Sequence, residues 1–265
     1  MTVPSQPFAD TPFPVTCNTF LGDRLQILQP ATGYRAGVDA VLLASAVLVR
    51  PDSASKILDC GAGVGTVGLC IAARCPTASV TLVEREEDLV ELARRNVSAN
   101  HLHDRVCVVP GDITVAASNV AAPRLAAESF DCVVANPPFH DDAGGTHATD
   151  PLKRVSRAMR TNALQDWVRF AARLAKPSAC FTVIHKSEAL PGLIEAMRDR
   201  FGALAITPVH AFAGKPAIRV LVSGVKGSRA PLSLLPSIVL HEPGGAFTPY
   251  VSRILRQGAP LISSN

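Results

Sequence analysis

Ile57-Leu58-Asp59-Cys60-Gly61-Ala62-Gly63-Val64-Gly65 is an apolar strand that runs straight into a glycine-rich turn, with a helix-compatible segment to residue 74 behind it. Glycines at such a turn take up conformations closed to other residues and let a ligand approach the main chain. Outward from this stretch the same unit repeats. Short apolar runs near 56–59, 79–83, 106–109, 130–135 and 179–184 alternate with helical segments near 65–74, 86–100, 116–122 and 162–175. That alternation predicts βα units wound into a parallel sheet. A helix near 187–201 and strands near 203–209 and 217–224 follow, and the short spacing of the last two predicts antiparallel pairing at a sheet edge.

Ahead of the glycine loop, residues 1–16 carry four prolines and read as a flexible N-terminal arm. Gly22-Asp23, between Thr19-Phe20-Leu21 and Leu25-Gln26-Ile27-Leu28, predicts a hairpin. Asp39 is placed to cap a buried helix that runs to about Val49 before Pro51 stops it. Residues 17–265 then form one domain, with the hairpin and helix in 17–50 and a catalytic core in 51–265.

At 265 residues, 48% hydrophobic and 18% charged, the chain reads as a soluble protein large enough to bury a full core. Its longest apolar stretch, Val38–Val49, is interrupted by Asp39 and falls short of the roughly 20 residues a membrane helix needs. Seven cysteines without a Cys-x-x-Cys pair read as reduced thiols filling a core, and Met1–Leu28 lacks the pattern of a secretory signal. The expectation is a cytoplasmic monomer or weak dimer with no membrane partner and no metal. Charge divides unevenly: residues 1–150 hold 10 Lys/Arg and 17 Asp/Glu, whereas residues 151–265 hold 16 and 5. The second half suits a polyanion.

The glycine loop has a context that selects its ligand. Thr81-Leu82-Val83-Glu84 places an acid about 20 residues after the glycines, where it can accept hydrogen bonds from both hydroxyls of a ribose. The loop reads G-x-G-x-G up to Gly65, not the G-x-G-x-x-G of a dinucleotide site, and Asp59 precedes the first glycine. That acid would repel a pyrophosphate and suits a ligand carrying an amine and a sulfonium. The loop resembles motif I of class I methyltransferases that use S-adenosyl-L-methionine and release S-adenosyl-L-homocysteine. The resemblance implies a Rossmann-like fold with a seven-stranded, mostly parallel sheet, an antiparallel edge strand and, here, a short N-terminal hairpin. It assigns Asp59, Gly61, Ala62, Gly63 and Gly65 to the methionine side of the cofactor and Glu84 with Arg85 to the ribose. Asp112 with Ile113 falls to the adenine; a plain helix cap is an equal and compatible role for Asp112.

Strand 130–135 ends in Asn136-Pro137-Pro138-Phe139. In open α/β sheets ligands bind beyond the carboxyl ends of strands. Two prolines fix the backbone and remove two N–H donors, leaving the Asn136 amide oxygen and the Pro137 carbonyl as acceptors beside an aromatic face. An exocyclic amine needs such partners for its two hydrogens. The tetrapeptide resembles motif IV of methyltransferases acting on planar nitrogens: adenine N6, guanine N2 and the glutamine side-chain amide. By that resemblance Asn136, Pro137, Pro138 and Phe139 are the catalytic group, Asn136 also borders the cofactor, and Phe139 stacks on a base. His140 and Asp141 either relay a proton or are ordinary loop residues, His140 being also a candidate substrate contact.

The segment Gln29-Pro30-Ala31-Thr32-Gly33-Tyr34-Arg35-Ala36-Gly37-Val38-Asp39-Ala40-Val41-Leu42-Leu43-Ala44 resembles a signature of bacterial tRNA (adenine-N6)-methyltransferases, which act beside the anticodon of a valine tRNA. Arg219-Val220-Leu221-Val222, Leu240-His241-Glu242 and Thr248-Pro249 extend the likeness. Carried over by position, Tyr34, Arg35 and Asp39 line the methionine end of the cofactor; an Arg35–Asp39 ion pair is the bland alternative. The implied partner is RNA, a tRNA anticodon loop. Family members more often have Tyr where this chain has Phe139. RNA guanine-N2 and protein glutamine-N5 methyltransferases remain alternatives, as does a catalytically silent RNA-binding module. Lys153, Arg154, Arg157 and Arg160 are candidate phosphate contacts, extended by Lys215, Arg219, Lys226 and Arg229, although such charge runs are as often plain solvated surface.

Overall fold

A computed structural model describes residues 13–32, 35–48, 54–114, 125–138 and 164–261. The helix expected near 116–122 and most of the 1–16 arm lie outside them. The first elements among the described residues are a hairpin, β1 (Val15–Phe20) and β2 (Leu25–Pro30), and β1 starts inside the expected arm. Then come α1 (Val38–Ala46), β3 (Lys56–Cys60), α2 (Thr66–Arg74), β4 (Ser79–Glu84), α3 (Glu87–Ala99), β5 (Val106–Pro110) and β6 (Phe130–Ala135). A helix over 164–174, α4, leads directly into β7 (Ala175–Lys186). A 3₁₀ turn and α5 (Leu190–Met197) precede β8 (Phe201–Phe212), β9 (Ala217–Lys226), β10 (Ser233–Leu234), β11 (Ile238–His241) and α6 (Pro249–Gln257).

One sheet of nine strands organises these elements in the order β10-β8-β9-β7-β6-β3-β4-β5, with β11 also on β8. It is wider than the seven strands expected. The two additions run parallel to β8 and are two and four residues long, bounded by Pro231 and Pro236, too short for an alternating pattern to register. The antiparallel strand is β9, and it lies between β7 and β8 rather than at the edge. Spacing reveals a β8–β9 hairpin; which of its strands turns inward is set by packing on β7. Apart from β9, every strand of this sheet runs the same way, so the carboxyl ends of β3, β4, β6, β7, β8 and β11 share one edge.

Each face of the sheet carries its own core. One contains Leu42, Leu43, Ile57, Leu69, Ile71 and Leu82 under α1, α2 and α6; the other contains Leu58, Val133, Phe170, Phe181 and Phe201 under α4 and α5. Cys60, Cys70 and Cys132 are buried in these layers, and all seven cysteines are free thiols. Among the described residues no helix is long and apolar enough to cross a membrane.

The hairpin is joined to the core by two asparagines of α3. Asn100 bonds both the N–H and the carbonyl of Gln26. Asn96, fully buried, accepts the Leu28 N–H at 2.7 Å and donates to the carbonyls of Leu28 and of Val64 in the glycine loop, both at 2.9 Å. Its amide completes an edge for β2 and fixes the loop together. Asn96→Ala leaves those buried backbone groups unpaired, so unfolding free energy should fall by about 3 kcal/mol in denaturant titration. A loss under about 1 kcal/mol would refute that role.

Candidate active site

β3 delivers Asp59 and the glycine loop to the carboxyl edge of the sheet. Gly61, Gly63 and Gly65 all have positive φ, and the loop is closed by Ala62 N–H to Val83 and Gly65 N–H to Ala62 bonds at 2.9 Å. The three glycines serve different ends. A Cβ on Gly61 would overlap the indole of Trp167 on α4, and one on Gly65 would press on Leu82 at 2.8 Å, whereas one on Gly63 would meet nothing within 4 Å. Gly63 therefore faces open space, the property of a cradle. Gly61→Ala should destabilise the fold by about 1–3 kcal/mol, since it meets both a strained φ and a packed ring. Thermal unfolding checks this, and Trp167→Ala in the same chain should recover part of the loss.

Asp59 is 1% exposed, and its Oδ2 accepts the Gly68 N–H at 2.9 Å. Burial above all, with the nearby Glu84 carboxylate adding to it against the Gly68 bond, pushes its pKa up to about 7. Gly68 is a site residue that the G-x-G-x-G pattern does not include. With Gly63 and Gly65 it completes a G-x-G-x-x-G run, so glycine spacing alone does not exclude a dinucleotide. Asp59 does. Its carboxylate already occupies an N–H in the first turn of α2, the position where a pyrophosphate would sit.

Glu84, 7% exposed at the end of β4, accepts the Gly63 N–H at 2.8 Å through Oε2 and the N–H groups of Arg85 and Glu86 through Oε1. One lone pair of Oε2 is left for a hydroxyl. Asp112 accepts both the N–H and the hydroxyl of Thr114, at 2.8 and 2.7 Å. Against a desolvation that would raise it, these bonds and the neighbouring Arg85 hold its pKa below the usual carboxylate value. Arg85 itself is exposed and paired with Glu86. Ile113 packs into the core with Val83 and Val109.

Asn136 stands one residue beyond β6, 8% exposed, and lines the same cleft as Asp59, Gly61, Gly63 and Thr66, with Ala36 and Ala40 of the α1 segment opposite. Pro137 is buried and Pro138 exposed. Larger hollows exist at the amino edge and below β8, but neither borders Asp59 or Asn136. The cleft's lining fits a cationic nucleoside: an ionisable carboxylate, an open glycine and the buried Thr66 hydroxyl, which has no hydrogen-bond partner among the described residues, with Glu84 bonded to the Gly63 N–H beside it.

Two expected cofactor residues have other neighbours. Arg35 bonds the carbonyls of Pro30 and Ala31 and the Asn18 side chain, bracing the hairpin. Asp39 does not cap α1, whose first turn follows Gly37; its carboxylate takes Arg219 Nε of β9 at 2.8 Å. The Arg35–Asp39 pair is thereby replaced by one that spans 180 positions, a contact that only the folded sheet creates. Tyr34, Phe139, His140, Lys153, Arg154, Arg157 and Arg160 lie outside the described residues.

The second basic group is divided. Lys215 and Arg219 sit at the carboxyl edge with the cleft, but Lys226 pairs with Phe201 at the opposite edge and bonds Glu128 and Ala175 there, with Arg229 following it. Ten residues of β9 separate the two ends by roughly 30 Å. His185 and Lys186, which the sequence does not mark, are the polar pair ending β7, the strand beside β6. Burial chiefly, and then the Arg219 and Lys186 cations, bring the His185 pKa down to about 4, so its ring is neutral at pH 7.

Known proteins resemble this chain over most of its length. A tRNA1(Val) (adenine(37)-N6)-methyltransferase of Porphyromonas gingivalis is 28% identical over 87% of this chain and 91% of its own. Its namesake from Phocaeicola vulgatus is 32% identical over 71% and 76%. A solved Agrobacterium tumefaciens structure, described as a predicted O-methyltransferase, is 34% identical over 86% of this chain and 99% of its own, with a TM-score of 0.71. The profile of the methyltransferase small domain matches residues 36–188, which run from the α1 side of the cleft through the glycine loop and Asn136 to the end of β7, and the chain belongs to that family.

Proposed function

We propose that this protein transfers a methyl group from S-adenosyl-L-methionine to the exocyclic N6 of an adenine in the anticodon loop of a tRNA, in the cytoplasm. The observation that carries the reading is Asn136 at the end of β6, in one cleft with Asp59 and the open Gly63. The relatives named for adenine-37 N6 methylation of a valine tRNA support the choice of acceptor.

When bound, S-adenosyl-L-methionine supplies an electrophilic methyl on a sulfonium and leaves as S-adenosyl-L-homocysteine. The Asp59 carboxylate, with the Gly61–Gly63 backbone, would hold its cationic end, and Glu84 would take a ribose hydroxyl. Asn136 Oδ1 and the Pro137 carbonyl accept the two amine hydrogens, turning the nitrogen lone pair toward the methyl. Holding the reactants in line is the main contribution, and no strong base is needed, because the cationic methylated nitrogen gives up its proton to water after the thioether has left. Phe139 is assigned to the base face and Lys153, Arg154, Arg157 and Arg160 to phosphates.

An oxygen acceptor is the second reading, because the Agrobacterium relative is described as an O-methyltransferase. A hydroxyl brings one hydrogen to a site with two acceptors, so it matches this site less well than an amine. Incubating the protein with labelled cofactor and total RNA or total protein, then analysing the products, decides between them. N6-methyladenosine is expected. N2-methylguanosine, methylglutamine or a 2′-O-methylated ribose would overturn the reading.

A further inference from the structure

We propose that Phe212, His241 and Phe247 form a stacking platform for a second, non-target base of the RNA; the proposal rests on the RNA reading above. Phe212 ends β8 and His241 ends β11, paired in register at the carboxyl edge that also carries Asn136. The His241 ring lies 4.8 Å from Phe247, stacked, and 5.5 Å from Phe212, tilted. The two phenylalanines are nevertheless 37% and 38% exposed. Rings that stack on one another and still present their outer surfaces to water suit a partner that is itself a flat ring.

The platform is held rigidly. Glu242 N–H donates to Ala246 and Gly245 N–H to Glu242, closing a turn that returns Phe247 onto His241, while His241 Nδ1 lies 3.0 Å from the Gly245 carbonyl. Thr248 then anchors the turn, its hydroxyl donating to Val239 and its oxygen capping α6. On the other side the Lys215 N–H bonds the Phe212 carbonyl, so an exposed lysine follows the Phe212 ring by three residues within the same turn, within reach of a phosphate. Lys186 and Arg219 lie between the rings and the cleft.

Separation excludes the bases beside the target. Ala135, Val183, Val222 and Ile206 are level across four strands, and Phe212 is six residues beyond Ile206. Strand spacing and rise then put the platform roughly 20–25 Å from Asn136. That is several times the roughly 3.4 Å stacking rise of a nucleic-acid strand, so the base it meets is not the neighbour of the target.

The test uses the full chain and a synthetic anticodon stem-loop of a valine tRNA in which each nucleotide in turn is made abasic. Binding is followed by fluorescence anisotropy and methylation by steady-state kinetics. Phe247→Ala should raise the RNA Kd and KM about tenfold, within the range of one base–aromatic stack, and leave kcat and cofactor affinity within about twofold. Phe247→Tyr should behave as wild type. One abasic position should cost the wild type about tenfold and the alanine variant nothing, and Phe212→Ala should reproduce that loss of sensitivity. An unmoved RNA affinity, or abasic penalties equal in variant and wild type, would overturn the platform. RNA that binds with this pattern but gains no methyl group would uphold the platform and refute the assigned reaction.

Discussion

Asn136→Ala is expected to cut the rate of methyl transfer by about 10²–10³-fold, the cost of removing one preorganised partner of a transition state. Cofactor affinity should stay within about threefold, as for a group that acts only once the substrate is present. The division follows from position. Asp59 and Glu84 reach the glycine loop from β3 and β4 and bond its backbone or the helix behind it, so they shape the cofactor side; Asn136 comes from β6, on the other flank of β3. Alanine deletes an acceptor and leaves β6, which is buried along nearly all its length, to hold the main chain. Asn136→Asp retains an acceptor oxygen and should recover at least about tenfold of the alanine loss. Calorimetric titration of cofactor beside single-turnover kinetics separates the two readouts. An alanine variant that no longer binds cofactor would contradict the assignment.

What the sequence disclosed and what it concealed divide by range of interaction. The βα alternation, the glycine loop and the tetrapeptide were legible because each is a local device: hydrophobic period and turn chemistry act within a few residues. The partner of Asp39 was not legible. A carboxylate four positions from Arg35 invites an i,i+4 pair, but α1 starts only at Val38, so Arg35 lies outside the helix that such a pair needs. Arg35 is then held by the hairpin, and Arg219 takes its place from β9.

The basic residues after 210 teach the same lesson with the opposite sign. Lys215, Arg219, Lys226 and Arg229 are close in sequence and read as one surface. An extended strand, unlike a helix, carries near neighbours in sequence to opposite edges of a sheet, so Lys226 ends beside Glu128, far from the cleft. Gly68 and Trp167 were concealed differently. Gly68 stands three residues beyond Gly65, the last glycine of the motif, and its role appears only when Asp59 is seen on its N–H. Trp167 lies about 100 residues from Gly61, and nothing local marks an indole as the wall that requires glycine there.

Asp59 makes the second large prediction, because one buried carboxylate sets stability and affinity against each other. Its pKa in the folded protein is about 7 against an ordinary 3.8. Between those values the folded state keeps a proton that the unfolded chain has released, so this group's stabilising contribution is full below about pH 4 and is lost as pH rises through 7. Asp59→Asn, which cannot ionise, escapes that loss. Its stability advantage over wild type should widen by about 2–3 kcal/mol between pH 5 and pH 8, or roughly 5–10 °C in Tm. Cofactor binding should run the other way. A cation needs the carboxylate ionised, so wild-type affinity for S-adenosyl-L-methionine should weaken about tenfold per unit below pH 7 and level off above it. Asp59→Asn should bind about 100-fold more weakly at pH 8 and show no such slope, since a charge-assisted bond in a buried site contributes about 2–3 kcal/mol. Thermal melts and titration calorimetry across this range measure both. A variant that is more stable at high pH yet still binds cofactor as tightly as wild type would show that the burial of Asp59 serves the fold alone. The paired outcome, stability gained where affinity is lost, would identify the cost of keeping an anion ready in the core for a cationic ligand.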